Sequence, residues 1–364
     1  MIYDLTVIGA GPAGCATAIR AARLGAPVLL LERGRFPRQK VCGEFVSAES
    51  LELLRTLLAP RHQRLIAGAP PIGRARIFLD GAELQAEVSP PAVGVTRFEL
   101  DQALWEAAGE GGVALRDHCA VHAVNRSGAI FQVSAGREIF ESRAVINAAG
   151  RWSSLSSPEH RTRAAGERWI GLKAHFYEPN PPRSVDLYFF EGGYCGAQPV
   201  AQADGGGVIN ACAMVRSKVA TGLDDVLQLH PALRARSASW EPLMVPVSTS
   251  PLVFHDPEPV RDEMIQVGDA ATFVDPFVGD GISLAIRSGV LAAECAGAFV
   301  RGQCSLQDAL DTYATAYEMR LSRVMRASSR LRKMLMWPVA LRKPALWFLQ
   351  RSPRVAKQLV RMTR

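Results

Sequence analysis

Ile2-Tyr3-Asp4-Leu5-Thr6-Val7-Ile8-Gly9-Ala10-Gly11-Pro12-Ala13-Gly14 opens the chain, and Val28-Leu29-Leu30-Leu31-Glu32 closes its first unit. An apolar run enters a Gly-x-Gly-x-x-Gly turn, a helical stretch follows, and a second apolar run ends on an acid. That order predicts strand, helix, strand. Gly9 permits the sharp turn, and Gly11, without a Cβ, admits a pyrophosphate against the backbone. Gly14 lets helix and sheet approach closely. Pro12 suits a first helical turn, where its missing N–H costs little, and Ala13 continues that turn. The free amides and positive end of the helix favour phosphate. Glu32 is placed to accept hydrogen bonds from ribose hydroxyls and to repel a 2′-phosphate. The unit therefore suits an adenosine of the FAD or NAD type rather than NADP.

The 364 residues suffice for one large domain or two ordinary ones. With 48% hydrophobic and 21% charged residues, the composition is that of a globular protein. No stretch reaches the ~18 uninterrupted apolar residues of a membrane span, and the N-terminus enters a strand at once, so no signal peptide is expected. Seven scattered cysteines with no Cys-x-x-Cys argue against a disulfide framework or a metal site and for a reducing cytoplasm. The net charge of +7 is concentrated at one end. Residues 318–364 hold thirteen Lys or Arg and one acid, so the rest of the chain is net acidic.

A second strand–turn–helix pattern lies at Met264-Ile265-Gln266-Val267-Gly268-Asp269-Ala270-Ala271, then Asp275-Pro276-Phe277-Val278-Gly279-Asp280-Gly281-Ile282, with a helical run to about Val300. Asp269 suits the hydroxyls of a ribityl chain. Gly279 and Gly281 allow backbone to approach a flat ring, and the helix start would stabilise negative charge on a reduced flavin.

The two motifs together resemble the p-hydroxybenzoate-hydroxylase-like flavoproteins, whose second motif reads Gly-Asp-Ala-Ala…Pro-x-x-Gly-x-Gly-Ile. The match falls on Gly268 to Ala271, Pro276, Gly279, Gly281 and Ile282. The resemblance implies that Gly9 to Gly14 and Glu32 hold the ADP half of FAD. It also implies that Asp269 contacts FAD, that Gly281-Ile282 lie against the isoalloxazine, and that NAD(P)H, the reductant, has no Rossmann unit of its own. Arg97-Phe98-Glu99-Leu100-Asp101-Gln102-Ala103-Leu104 looks like the Arg-x-x-Leu-Asp-x-x-Leu helix start whose arginine lies near FAD; a surface arginine is the alternative. Where hydroxylases carry Asp-Gly, this chain has Ala149-Gly150, which weakens any account of how NAD(P)H is gripped.

Pro37-Arg38-x-Lys40-x-Cys42-Gly43 is similar to the geranylgeranyl-reductase branch, which implies that Cys42 sits near the flavin and that Arg33 and Lys40 lie near FAD or its entrance. Cys42 reads either as a small buried filler or as a catalytic thiol activated by nearby cations. The Trp-containing, Pro-ending motif that geranylgeranyl reductases and flavin halogenases each carry has its counterpart in Gly192-Gly193-Tyr194-Cys195-Gly196-Ala197-Gln198-Pro199, which keeps the proline and lacks the tryptophan. That argues against halogenation and weakens prenyl-chain reduction.

The expected fold is α/β: a Rossmann-like FAD-binding domain (1–70, 95–160, 260–300), an inserted antiparallel β-sheet substrate domain (70–95, 165–255) and a basic helical region (301–364). In the insert, alternating runs such as 169–176 and 207–212 read as strands. Tyr188, Tyr194, Gln198 and Pro199 are candidates for the substrate pocket, and His175 reads as a packed strand histidine. The apolar bias suggests a hydrophobic or aromatic substrate. The tail 318–364 reads as terminal helices packed on the body, as a contact for an anionic membrane surface, or as a dock for an acidic carrier protein; nothing points to nucleic acid. The expected activity is FAD-dependent oxidoreduction in the cytoplasm or peripheral to a membrane. Hydroxylation with O₂ of an apolar aromatic or polyketide-like substrate is favoured, reduction of a carbon–carbon double bond in an isoprenoid-like substrate is the alternative, and an FAD-holding redox sensor is the third reading.

Overall fold

The computed structural model describes residues 1–151, 155, 168–201, 206–249, 252, 254–273, 279–322 and 325–326. The opening apolar run forms strand Ile2–Ile8, flanked by parallel Val28–Leu31 and Glu138–Asn147. Strands covered on both faces read as unbroken apolar runs, and Val28–Leu31 is buried throughout. The first sheet runs Val260–Arg261, Met264–Gln266, Glu138–Asn147, Ile2–Ile8, Val28–Leu31, Ala114–Arg116. An antiparallel pair, Val121–Ser127 and Ile130–Ala135, continues from Glu138–Asn147.

Helix Pro12–Arg23 packs under helix Gly281–Val300. Glycines set the spacing: a Cβ on Gly14 would stand 1.8 Å from the Gly9 carbonyl oxygen, and one on Gly289 would stand 2.3 Å from the Ala13 carbonyl oxygen. Gly281–Val300 is long and apolar enough to cross a membrane, yet most of it is buried in this packing. Helix Leu306–Arg320 starts at a Ser305–Asp308 capping box and lies on Gly281–Val300. Its Tyr313 hydroxyl donates to the Gln266 carbonyl at 2.9 Å. The basic stretch beyond residue 326 lies outside the described residues.

The second sheet runs Glu241–Pro242, Trp169–Tyr177, Val208–Arg216, Gly193–Pro199, Ser184–Phe190, Pro71–Leu79, Ala82–Gly94, Phe45–Val46, with Val247–Thr249 also on Trp169–Tyr177. It departs from the expected antiparallel insert at one place: Ser184–Phe190 runs parallel to Pro71–Leu79. The hairpin over residues 71–94 enters from an earlier excursion of the chain, so no tight turn fixes its direction against Ser184–Phe190. Phe45–Val46, from the segment expected to lie wholly in the nucleotide-binding part, pairs with Val93–Gly94 in this second sheet.

Candidate active site

A cavity of about 1250 Å³ lies between the two sheets. One end is the opening motif. Gly9, Gly11, Pro12 and Ala13 line it, while Gly14 is packed behind them. No side chain caps the Pro12–Arg23 helix, and its first residues line the cavity. The Gly281–Val300 helix is also uncapped by a side chain, and Gly279, Gly281 and Ile282 line the same space. Gly279 has φ +76°, and a Cβ there would press on the Phe45 ring at 3.1 Å. Gly268, at φ +58°, donates its amide to Ser288 Oγ at 3.0 Å and sits with Asp269 in the wall. Pro276 lies outside the described residues.

Glu32 is 3% exposed and fully engaged. Its carboxylate accepts from the amides of Ala10 and Gly34, each at 2.9 Å, and from both Arg38 amino groups at 2.6 and 2.9 Å. Burial raises its pKa, but the charge and hydrogen bonds of Arg38, with the two amides, outweigh this and hold the carboxyl below its ordinary value. A carboxylate offers about four acceptor positions, so a ribose diol must take the positions that Arg38 fills. Arg38 was not singled out in the sequence. Arg33 is exposed at the rim, and burial with the nearby charges of Arg38 and Arg97 pushes the Lys40 ammonium down to about 8.

Cys42 lines the same cavity. Its Sγ accepts from the Glu44 amide at 3.3 Å and lies in hydrogen-bonding reach of the Arg97 guanidinium. Arg97 is also clamped bidentately by Asp101 at 2.6 and 2.7 Å. Burial works against its charge, and Asp101 and the Cys42 sulfur outweigh burial and raise its pKa. Arg151 stands 3.8 Å from Asp269 and stacks over Phe273, 3.9 Å from the ring centroid. By contrast, burial pushes the Cys195 thiol up to about 12 and raises those of Cys15 and Cys212. Cys15 and Cys195 are fully buried, and thiols of that kind are inert.

The far end is apolar, with Ile77, Val88, Leu187, Phe189 and Met214 in its wall. Tyr194 and Gln198 line it, but Tyr188 and Pro199 do not. Tyr188 is 2% exposed, stacks on Phe78 at 4.6 Å and meets Arg236 at 3.3 Å on the opposite face of its strand. Alternation explains both corrections: Leu187 and Phe189 face the cavity and turn Tyr188 away, while Tyr194 and Gln198 face it and turn Pro199 away. Gln198 Nε2 is buried without a partner among the described residues, a donor left over in an apolar wall. His175 is more than a packed strand histidine, since its Nε2 meets the Glu44 carboxylate at 2.6 Å.

Residues 4–151 match the family model described as FAD dependent oxidoreductase. A digeranylgeranylglycerophospholipid reductase of Methanopyrus kandleri is 26% identical over 356 residues, covering 92% of this chain and 86% of the relative. The chain is an FAD-dependent oxidoreductase. A menaquinone reductase of Mycobacterium tuberculosis is 27% identical to this oxidoreductase over 319 residues, covering 80% and 76% of the two chains. The solved structure of a flavin-dependent brominase overlays the oxidoreductase with a TM-score of 0.78, covering 100% and 93% of the two chains at 21% identity, a likeness of fold alone. FAD fits the oxidoreductase's own geometry. Two uncapped helix starts converge on one cavity, and the glycines between them leave room for backbone-hugging groups. The volume exceeds the roughly 300–1,000 Å³ of an ordinary ligand pocket, which leaves space for a second molecule.

Proposed function

We propose that this oxidoreductase reduces a carbon–carbon double bond in a lipophilic, isoprenoid-like substrate, with NAD(P)H as reductant. The observation that carries the reading is the Cys42 sulfur, set in the cavity wall between the glycine cradles and the apolar end, beside Arg97. Two relatives that align along most of the chain support it, being named as reductases of a geranylgeranyl lipid and of menaquinone.

When bound, FAD supplies the hydride equivalent that such a reduction adds to one alkene carbon. The other carbon needs a proton. The Cys42 thiol is the group placed to donate it, with the Arg97 guanidinium beside its sulfur. The apolar wall takes the hydrocarbon and excludes water, while the free Gln198 amide suits a polar end or carbonyl of the substrate.

Hydroxylation is the competing reading, motivated by the prevalence of hydroxylases on this fold and by the tryptophan missing from Gly192–Pro199. Product mass under isotopically labelled O₂ separates the two. A gain of two hydrogens supports reduction, and a labelled oxygen in the product rejects it. Cys42→Ser is expected to keep its FAD and lose roughly 10²–10⁴-fold in turnover, the usual contribution of a general acid. Unchanged turnover in that variant removes the thiol from the mechanism.

A further inference from the structure

The run Cys42-Gly43-Glu44-Phe45 leaves the nucleotide-binding part and enters the second sheet, and Glu44 is its most heavily held residue. Its side chain is fully buried. Oε1 accepts from the Arg97 amide at 2.7 Å and from the Lys173 ammonium, and Oε2 meets His175 Nε2 at 2.6 Å. Lys173, equally buried, donates onward to Gln39 Oε1 at 3.0 Å. The Glu44 carbonyl accepts from the Val95 amide at 3.0 Å, while its amide donates to Cys42 Sγ at 3.3 Å. Asn210 Nδ2 holds the Cys42 carbonyl at 2.9 Å. Glu44 adopts φ +59°, a left-handed conformation in which a glycine would be the unstrained choice. The partners of its carboxylate keep a side chain there regardless.

Lys173 and His175 are two residues apart on strand Trp169–Tyr177, so both reach one face of the second sheet. Arg97 starts a helix of the nucleotide-binding part. A single carboxylate therefore ties both parts of the protein to the segment that presents Cys42. A buried Glu–Lys contact is a poor source of stability compared with apolar packing, and its geometry here is spent on the position of one loop.

We propose that Glu44 is a positioning residue of the active site: anchored by Lys173, His175 and the Arg97 amide, it fixes the Cys42 sulfur in the wall that receives the cofactor. The inference rests on the reading of the cavity as the flavin site, and it holds whether the reaction is reduction or hydroxylation.

The test is alkylation of Cys42 by iodoacetamide, located by mass spectrometry, in the full-length protein with and without FAD. Bound FAD is expected to slow labelling of wild-type Cys42 by about tenfold or more, as shielding of an accessible thiol does. In Glu44→Gln the protein still binds FAD, Cys15 and Cys195 stay unlabelled, the protection of Cys42 is largely lost, and the visible flavin spectrum shifts. A folded, FAD-loaded Glu44→Gln with wild-type protection and spectrum overturns the proposal, as does a wild-type Cys42 that FAD does not protect. Should Glu44→Gln fail to fold, His175→Gln, which keeps the Glu44–Lys173 pair, decides by the same readouts: reduced protection supports the proposal and unchanged protection overturns it. A labelled-oxygen product alongside a positive alkylation result would reject the reductase reading and leave the role of Glu44 standing.

Discussion

Asp280, the residue before the Gly281–Val300 helix, is 2% exposed, and its Oδ2 has no partner among the described residues. Ser47 Oγ donates to Oδ1 at 3.3 Å. Burial pushes the carboxyl from 3.8 up to about 6, against the pull of Ser283, Arg287 and Ser47. The folded state thus binds the proton more tightly than the unfolded chain. The stabilisation is present below pH 3.8 and is lost as pH rises through 6. Asp280→Asn is expected to unfold at higher temperature than wild type at pH 8, by at most about 3 kcal/mol in stability, and to lose that advantage at pH 4; thermal melts at the two pH values check it. Glu32 and Glu44 have the opposite sign, since both are held below their ordinary values. Their contributions are present at neutral pH and lost as pH falls through the acid range. Among single residues, the sequence speaks most directly to those whose structural setting is local. Gly9, Gly11 and Glu32 act within one βαβ unit. Glu44 acts through Lys173 and His175, far along the chain and in another sheet. The one available signal was a lysine and a histidine two apart on an otherwise apolar strand, a pattern that calls for a buried acid without saying which.

At the scale of elements, two helix starts and a glycine contact build one end of the cavity. Gly289 lets Gly281–Val300 lie against Pro12–Arg23, and a Cβ there would also approach Thr17 Oγ1 at 3.0 Å. Gly289→Ala is expected to push the helices apart and cost about 1–3 kcal/mol, the range for overpacking. Chemical denaturation measures that loss, and FAD affinity falls with it because both helix starts face the cavity. Strands, helices and turn glycines were legible because the 3.6 and 2.0 periods and the glycine spacing are local properties. The facing of the inserted strands was not. Tyr188 and Pro199 are one residue out of step with the cavity face, and a one-residue step on a strand reverses the side. The parallel pairing of Ser184–Phe190 with Pro71–Leu79 was hidden for a related reason: it joins segments that the nucleotide-binding part separates.

Over the whole molecule, a mostly parallel sheet carries the glycine turns at one end of the cavity, the second sheet supplies an apolar wall, and the Cys42–Phe45 run connects them. The places of the two glycine motifs in the chain could be read directly. The reaction could not, because it depends on how Cys42, Arg97 and the wall residues meet across that division. The most direct measurement is an anaerobic single turnover. The holoenzyme is reduced with dithionite, oxygen is excluded, and a lipophilic polyprenyl alkene is added while flavin absorbance is followed. Oxidised-flavin absorbance is expected to return in step with a product two hydrogens heavier. A flavin that stays reduced across a panel of such alkenes until O₂ is admitted, with oxygen then appearing in the product, would contradict the reductase reading.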